Sequence, residues 1–189
     1  MQRRELMTTV AMAAMAMGLP GRALAQAGYP TRPVRMIVPF PAGGPTDVMG
    51  RAAAKAMSDK LGQPFVVENK AGAGGNIGTD AVAKAATDGY TIGLTAISSL
   101  AIAPHLYNSV PFDVEKDLRP ISLVGTTPCA LVINPGAPFS DLKGMVAYAK
   151  ANPGKVNYAT SGIGTSNHLA AELLQSVAGI RLTNVPYKG

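Results

Sequence analysis

Two short stretches hold the residue types that could do chemistry. Phe40-Pro-Ala42-Gly43-Gly-Pro-Thr-Asp47 joins two glycines to a carboxylate. Ser161-Gly-Ile-Gly164-Thr165-Ser-Asn-His168 joins hydroxyls to an imidazole. Ser161 with His168 would be a nucleophile and its base, but Ser161 is not inside Gly-x-Ser-x-Gly, because Ala159 and Thr160 precede it. No acid is evidently placed to orient His168. Gly162-Ile163-Gly164 resembles the start of a dinucleotide fingerprint, yet Asn167 stands where the third glycine belongs. The first stretch lacks the Gly-Lys-Ser/Thr of a phosphate-binding loop, which argues against nucleotide hydrolysis. Two His and one Cys, widely spaced, give no metal pattern, and no cofactor is expected.

The remaining chemistry is capture of an anion. Glycine turns and helix N-termini offer backbone N–H groups with partial positive charge. Neither loop contains Lys or Arg, so an anion would be held by neutral donors and water, which suits reversible capture and release. Asp47 fits the first turn of a helix, where an acid favours the dipole, and could accept a hydrogen bond from a ligand amine, amide or hydroxyl.

Each loop needs a strand before it and a helix after it. Residues 34–40 are an apolar, β-branched run and read as a buried strand. Pro45 fits the first position of a helix over 45–61, with Val48, Ala52, Ala53, Ala56, Met57 and Leu61 as its packed stripe. Gly62 and Pro64 end it. A strand at 65–68, a glycine loop at 69–78, a helix at 79–86 and a strand at 91–96 follow, with a short helix at 98–107. Residues 112–120 are a charged connection. Residues 121–134 are extended, but Pro128 excludes one uninterrupted central strand, so they read as the passage between two domains. Ser140 is expected to cap a helix reaching Ala151. A strand at 156–160 leads into the second loop. A helix at 167–178 follows, with Leu169, Ala170, Leu173, Leu174 and Val177 inward, and then a strand at 182–185. Alternating strands and helices predict an α/β fold with largely parallel pairing, in two lobes at 26–125 and 126–189. Ligands of such sheets bind at the carboxyl ends of the strands, where both loops fall.

The chain of 189 residues is 47% hydrophobic and 15% charged, which places it among globular proteins. Aromatics are 5% with no Trp, against a stacking surface for nucleic acid. Residues 1–25 read as a signal peptide: Arg3-Arg4, an apolar core, then Ala23-Leu24-Ala25 before a mature start at Gln26. Its removal leaves 14 basic and 10 acidic residues, so the net charge falls from +6 to +4. That excess is scattered and forms no nucleic-acid or membrane patch. Cys129 is the single cysteine, so no internal disulfide forms, and its apolar surroundings predict burial. An exported, periplasmic, monomeric protein is the expectation.

Many motifs occur in one order: Tyr29-Pro-x-Arg-Pro-Val34, Ile37-Val-Pro-Phe-Pro-Ala-Gly-Gly-Pro-Thr-Asp47, Glu68-Asn69, Gly72-Ala-Gly-Gly-Asn-Ile-Gly78, Asp88-Gly-Tyr-Thr91, Tyr148-Ala-Lys-Ala-Asn-Pro-Gly154, His168-Leu169 and Val185-Pro-Tyr-Lys-Gly189. Together they strongly resemble the Bug family, the periplasmic solute-binding receptors of tripartite tricarboxylate transporters. The resemblance implies a two-lobed binding protein of the periplasmic type (type II-like). It would close by hinge motion on a small organic carboxylate and hand it to membrane permease subunits. By position it implies Phe40, Ala42, Gly43, Asp47, Ser161, Gly164, Thr165 and His168 as ligand-binding residues, partly through ordered water. Family members are longer, so the second lobe is expected to be incomplete. A sensor input without a transport role, and a periplasmic hydrolase using Ser161, are the alternatives.

Overall fold

The computed structural model describes residues 28–187; the expected signal peptide and the final Lys188-Gly189 lie outside them. The chain divides into Met1–Thr31 and a main unit, Arg32–Gly189, which holds both sheets. The fold is α/β. Strand β1 (Val34–Val38) lies between β2 (Phe65–Asn69) and β3 (Thr91–Gly93), all parallel, in the order β2-β1-β3. Val34 pairs with Phe65 and Val38 with Asn69. A central parallel strand is covered on both faces, so it reads as a continuous apolar run. Val34, Met36, Ile37 and Val38 are accordingly all buried. β3 is shorter than the expected 91–96, because ladder pairing stops at Gly93.

Helix α1 (Pro45–Leu61) has the expected bounds, with Pro45 in its first turn and Gly62 left-handed behind it. Its buried face differs from the expected stripe. Asp47, Gly50 and Ala54 are buried, while Val48, Ala52, Ala56 and Leu61 are exposed. The cause is close approach. A Cβ on Gly50 would stand 2.9 Å from Val38 Cγ2, so the helix–sheet contact selects the smallest residues. Val34, Met36, Val38, Ala54 and Phe65 form the core, with Ala53 and Met57 packed beside them. Burial of each large apolar side chain there stabilises by about 1.5–3 kcal/mol.

Helix α2 (Asn76–Ala83) begins before the expected residue 79, because a 3-10 turn at Ala73–Gly75 feeds directly into it. The expected helix at 98–107 is a π-helical segment, Ser98–Ile102, continued by α3 (Ala103–Leu106). The charged connection contains α4 (Val114–Asp117), capped by the Asp113 carboxylate, which accepts from the Glu115 and Lys116 N–H groups. No strand forms over 121–132; Pro120 and Pro128 remove ladder donors there, and Ile121, Leu123 and Val132 are exposed. Cys129 is exposed with them, contrary to the expected burial.

Helix α5 (Leu142–Ala151) is capped by Asp141, not Ser140: the Asp141 carboxylate accepts from the Gly144 N–H at 2.6 Å. Strands β4 (Asn157–Thr160) and β5 (Thr183–Pro186) form a second parallel sheet, joined through helix α6 (Ser166–Ala178). Met145, Ala149 and Ile180 are its core, with Leu174 and Ala178 of α6 packed against them. The rest of the expected α6 stripe is not covered: Leu169, Leu173 and Val177 are exposed, and no residue of α6 is fully buried. No helix among the described residues is long and apolar enough to cross a membrane.

Candidate functional site: a cleft between glycine loops

The first loop leaves β1 and turns at Gly43, whose φ of +85° is a left-handed value that favours glycine. Its N–H does not point free: it donates to Asp47 Oδ2 at 2.8 Å. Asp47 is 2% exposed, and both carboxylate oxygens are engaged. Oδ2 also accepts from Arg51 Nε at 2.9 Å, and Oδ1 accepts from Asn69 Nδ2 at 2.8 Å. Asn69 donates as well to the Phe40 carbonyl at 2.9 Å. Arg51, Gly43 and Asn69 together hold the Asp47 carboxyl well below the usual carboxylate range, and Asp47 raises Arg51 in return. Asp47 therefore fixes the loop from below.

The second loop leaves β4. Ser161 Oγ donates to Asn167 Oδ1 at 3.1 Å, and the same oxygen caps the backbone N–H of His168. The buried Thr165 hydroxyl lies 2.6 Å from the Gly162 carbonyl. The Gly164 N–H donates to His168 Nδ1 at 3.3 Å, which turns Nε2 toward Glu172 Oε1, 3.7 Å away. Glu172 Oε1 also accepts from the Tyr158 hydroxyl at 2.6 Å, and burial first, then Glu172, pushes the Tyr158 pKa up to about 12. Ser161 and His168 are thus turned to different partners.

A third loop, after β2, closes the arrangement. Gly72, Ala73, Gly74 and Gly75 all have positive φ, at 134°, 49°, 64° and 98°. A Cβ on Gly74 would stand 3.0 Å from the Ile163 carbonyl oxygen, so main chain meets main chain. The Tyr107 hydroxyl donates to that same carbonyl at 3.2 Å. Between these loops lies a cleft of about 250 Å3. Phe40, Tyr107, Ser161, Ile163 and Tyr187 line it, over a floor made by the loop at 72–75. A larger opening, about 410 Å3, is framed by residues 133–140 alone and touches none of these groups.

Of the expected residues, Phe40 and Ser161 line the cleft. Gly164 and Thr165 are buried within the second loop, and His168 sits behind it. Ala42 and Gly43 are exposed, and with Asp47 they lie outside the lining. Sequence reasoning missed the floor and Tyr107. The floor carried a signal of the same kind as the other two loops, a glycine run directly after a strand. Tyr107 carried none, since its role depends on where the π-helical segment delivers it.

Parallel strands whose carboxyl-end glycine loops converge on one cleft define an α/β binding fold. Residues 49–189 match the family described as the tripartite tricarboxylate transporter family receptor. The chain belongs to that family. It is 50% identical over 162 residues to the protein BugT of Bordetella pertussis, an alignment covering 85% of this chain and 50% of that protein. Among solved structures, an R. palustris protein with adipate superposes with a TM-score of 0.82 at 34% identity, over 85% of this chain and 54% of that one. MatC from Rhodopseudomonas palustris with bound malate gives 0.78 at 32% identity, over 85% and 55%. The periplasmic binding protein BugD gives 0.71 at 38% identity, over 85% and 54%. The chain spans about half the length of these relatives.

Proposed function

We propose that this chain is part of an extracytoplasmic receptor that captures a small organic carboxylate for a tripartite tricarboxylate transporter. Two of its structural relatives hold adipate and malate. The observation that carries the reading to this chain is the cleft. The loop at 72–75 and the second loop border it, Phe40 of the first loop, Ser161 and Tyr107 line it, and among the described residues no Lys or Arg does. A carboxylate there is held by neutral donors once Ser161 and Tyr107 turn to it from Asn167 and the Ile163 carbonyl, and is released readily. Phe40, Ala42, Gly43, Asp47, Ser161, Gly164, Thr165 and His168 are the proposed ligand-binding set. Phe40 and Ser161 touch the ligand, and Asp47 and His168 act by holding their loops. The two lobes divide near residue 125, the ligand closes them, and permease subunits of the transporter receive it. The protein works in the periplasm as a monomer, after export by the segment at 1–25.

The receptor has no hydrolytic role in this reading. A serine nucleophile needs its base within hydrogen-bond reach, and Ser161 Oγ is bonded to Asn167 while His168 Nδ1 is taken by the Gly164 N–H.

A thermal-shift screen of the protein against acetate, malate, adipate and citrate tests the receptor reading. An acid at about 100 times its Kd adds roughly 2.7 kcal/mol to stability. A rise in Tm with one or more acids, absent with uncharged amides of the same length, is expected. A folded protein that responds to none of them would overturn the assignment.

A further inference from the structure

Beneath the cleft floor, Asn76 Oδ1, Ser98 Oγ and Ser99 Oγ are buried side-chain oxygens with no hydrogen-bond partner among the described residues. (Asp80 Oδ1, in similar surroundings, is engaged by Lys84 Nζ at 2.7 Å.) The three residues are 8%, 4% and 0% exposed. Native proteins leave few buried polar groups unpaired, so each calls for an explanation. The neighbouring buried hydroxyl of Thr79 is satisfied by the Gly75 carbonyl at 3.0 Å, which makes the other three distinct.

Both elements that supply them are suited to a ligand. Asn76 opens α2 directly behind the 3-10 turn, where its own backbone N–H is taken by the Ala73 carbonyl and its side-chain oxygen is left over. Ser98 and Ser99 open the π-helical segment, a form that gathers at functional sites. The barrier between Ser99 and the cleft is thin. A Cβ built on Gly75 would lie 2.8 Å from Ser99 Oγ and 3.3 Å from Phe40 Cζ. Gly75 and Phe40 both line the cleft. The Ser99 hydroxyl thus sits behind a residue without a side chain and beside the edge of one aromatic ring.

We propose that Ser98, Ser99 and Asn76 form a polar recess behind Gly75 and Phe40 that receives a carboxylate group of the ligand. The inference rests on the carboxylate-receptor reading and deepens it. The Ser98 and Ser99 hydroxyls can each turn a hydrogen toward a negative group. The Asn76 amide presents its N–H₂ to the same group on turning over. Phe40 turns aside to admit the carboxylate and then covers it, which excludes water and strengthens the hydrogen bonds.

Ser98→Ala and Ser99→Ala in the full-length protein test this, titrated calorimetrically with acetate, malate, adipate and citrate, with Tm recorded without ligand. The expected result is at least about tenfold weaker binding of whichever acid the unaltered protein takes. It should come with an unchanged or higher ligand-free Tm, because an unpartnered buried hydroxyl has gone. Unaltered affinity in both variants would overturn the recess and leave the receptor reading standing. A lower Tm with unaltered affinity would mark the serines as packing residues and overturn it equally. If the unaltered protein binds none of the four acids, receptor reading and recess fall together.

Discussion

Asn69 Nδ2 donates to Asp47 Oδ1 at 2.8 Å, so the last residue of β2 grips the first turn of α1. With the Gly43 N–H and Arg51 Nε on the other carboxylate oxygen, one buried side chain ties together a strand end, a glycine turn and a helix. A carboxylate so occupied has little capacity left for a ligand. Its service to the cleft is to hold Phe40 and Gly43 in place.

Asp47→Asn replaces an acceptor by a donor that faces Arg51 or Asn69. The variant should unfold at lower urea concentration near neutral pH. The folded-state pKa of Asp47 lies below its unfolded value, so the unfolded chain binds the proton first as pH falls. The stabilisation is therefore fully present above about pH 4 and fades as pH drops further, toward the lower folded value. Urea midpoints of the two proteins should differ clearly at about pH 7, and the gap should narrow as pH falls below about 4 without having closed at about pH 3. A gap that is constant with pH would mean the loss is one of shape alone.

Gly43→Val puts a β-branched residue at a φ of +85°. Nothing lies within 4 Å of a Cβ there, so the cost is backbone strain, about 1–2 kcal/mol. The fold should survive with lower Tm, and carboxylate binding should weaken, because the strained turn carries Phe40 of the cleft lining. Normal binding by this variant, followed by calorimetry, would remove the first loop from the site.

Gly164→Ala and Gly179→Ala separate strain from crowding. Both positions have positive φ, but a Cβ at Gly164 would stand 2.9 Å from Leu106 Cδ2 whereas at Gly179 it meets nothing. Gly179→Ala should cost about 1–2 kcal/mol. Gly164→Ala should cost about 2–4 kcal/mol and weaken ligand binding as well, since the N–H of this residue sets His168. Chemical denaturation of both variants, beside the parent, gives the comparison.

A chromogenic ester tests the absence of hydrolysis directly. With Ser161 turned to Asn167, the protein should release chromophore no faster than buffer, and Ser161→Ala should change nothing. Turnover that this substitution abolishes would reinstate the hydrolase.

Much of the fold was legible because local rules agreed with each other. Pro45 and Gly62 bound α1 as their backbone preferences dictate, and the apolar run of β1, broken only by the exposed Arg35, announced a strand buried on both faces. The buried face of α1 was not legible. Apolarity selects Val48 and Leu61, while the sheet accepts Gly50 and Ala54 for their size and Asp47 for its partners. In α6 the apolar period is real, yet Leu174 and Ala178 pack on the second core while Leu169, Leu173 and Val177 stay exposed. Period reports what a helix could bury, and tertiary contact decides what it does bury. The two cleft loops were visible as glycine turns after strands. The Ser98–Ile102 π-helical segment left no trace, because i→i+5 bonding has no residue signature and arises from packing.

The floor of the cleft is written in main chain, and main chain cannot be mutated. Four successive residues at positive φ restrict that stretch to glycine and one alanine, so evolution has few letters to try there. Side-chain variety is left to the rim, where Phe40, Ile163 and Tyr187 face the cleft. A protein built this way separates a constant grip from a variable filter. On the receptor reading, preference for one acid over another then falls to the rim side chains, while the floor stays the same.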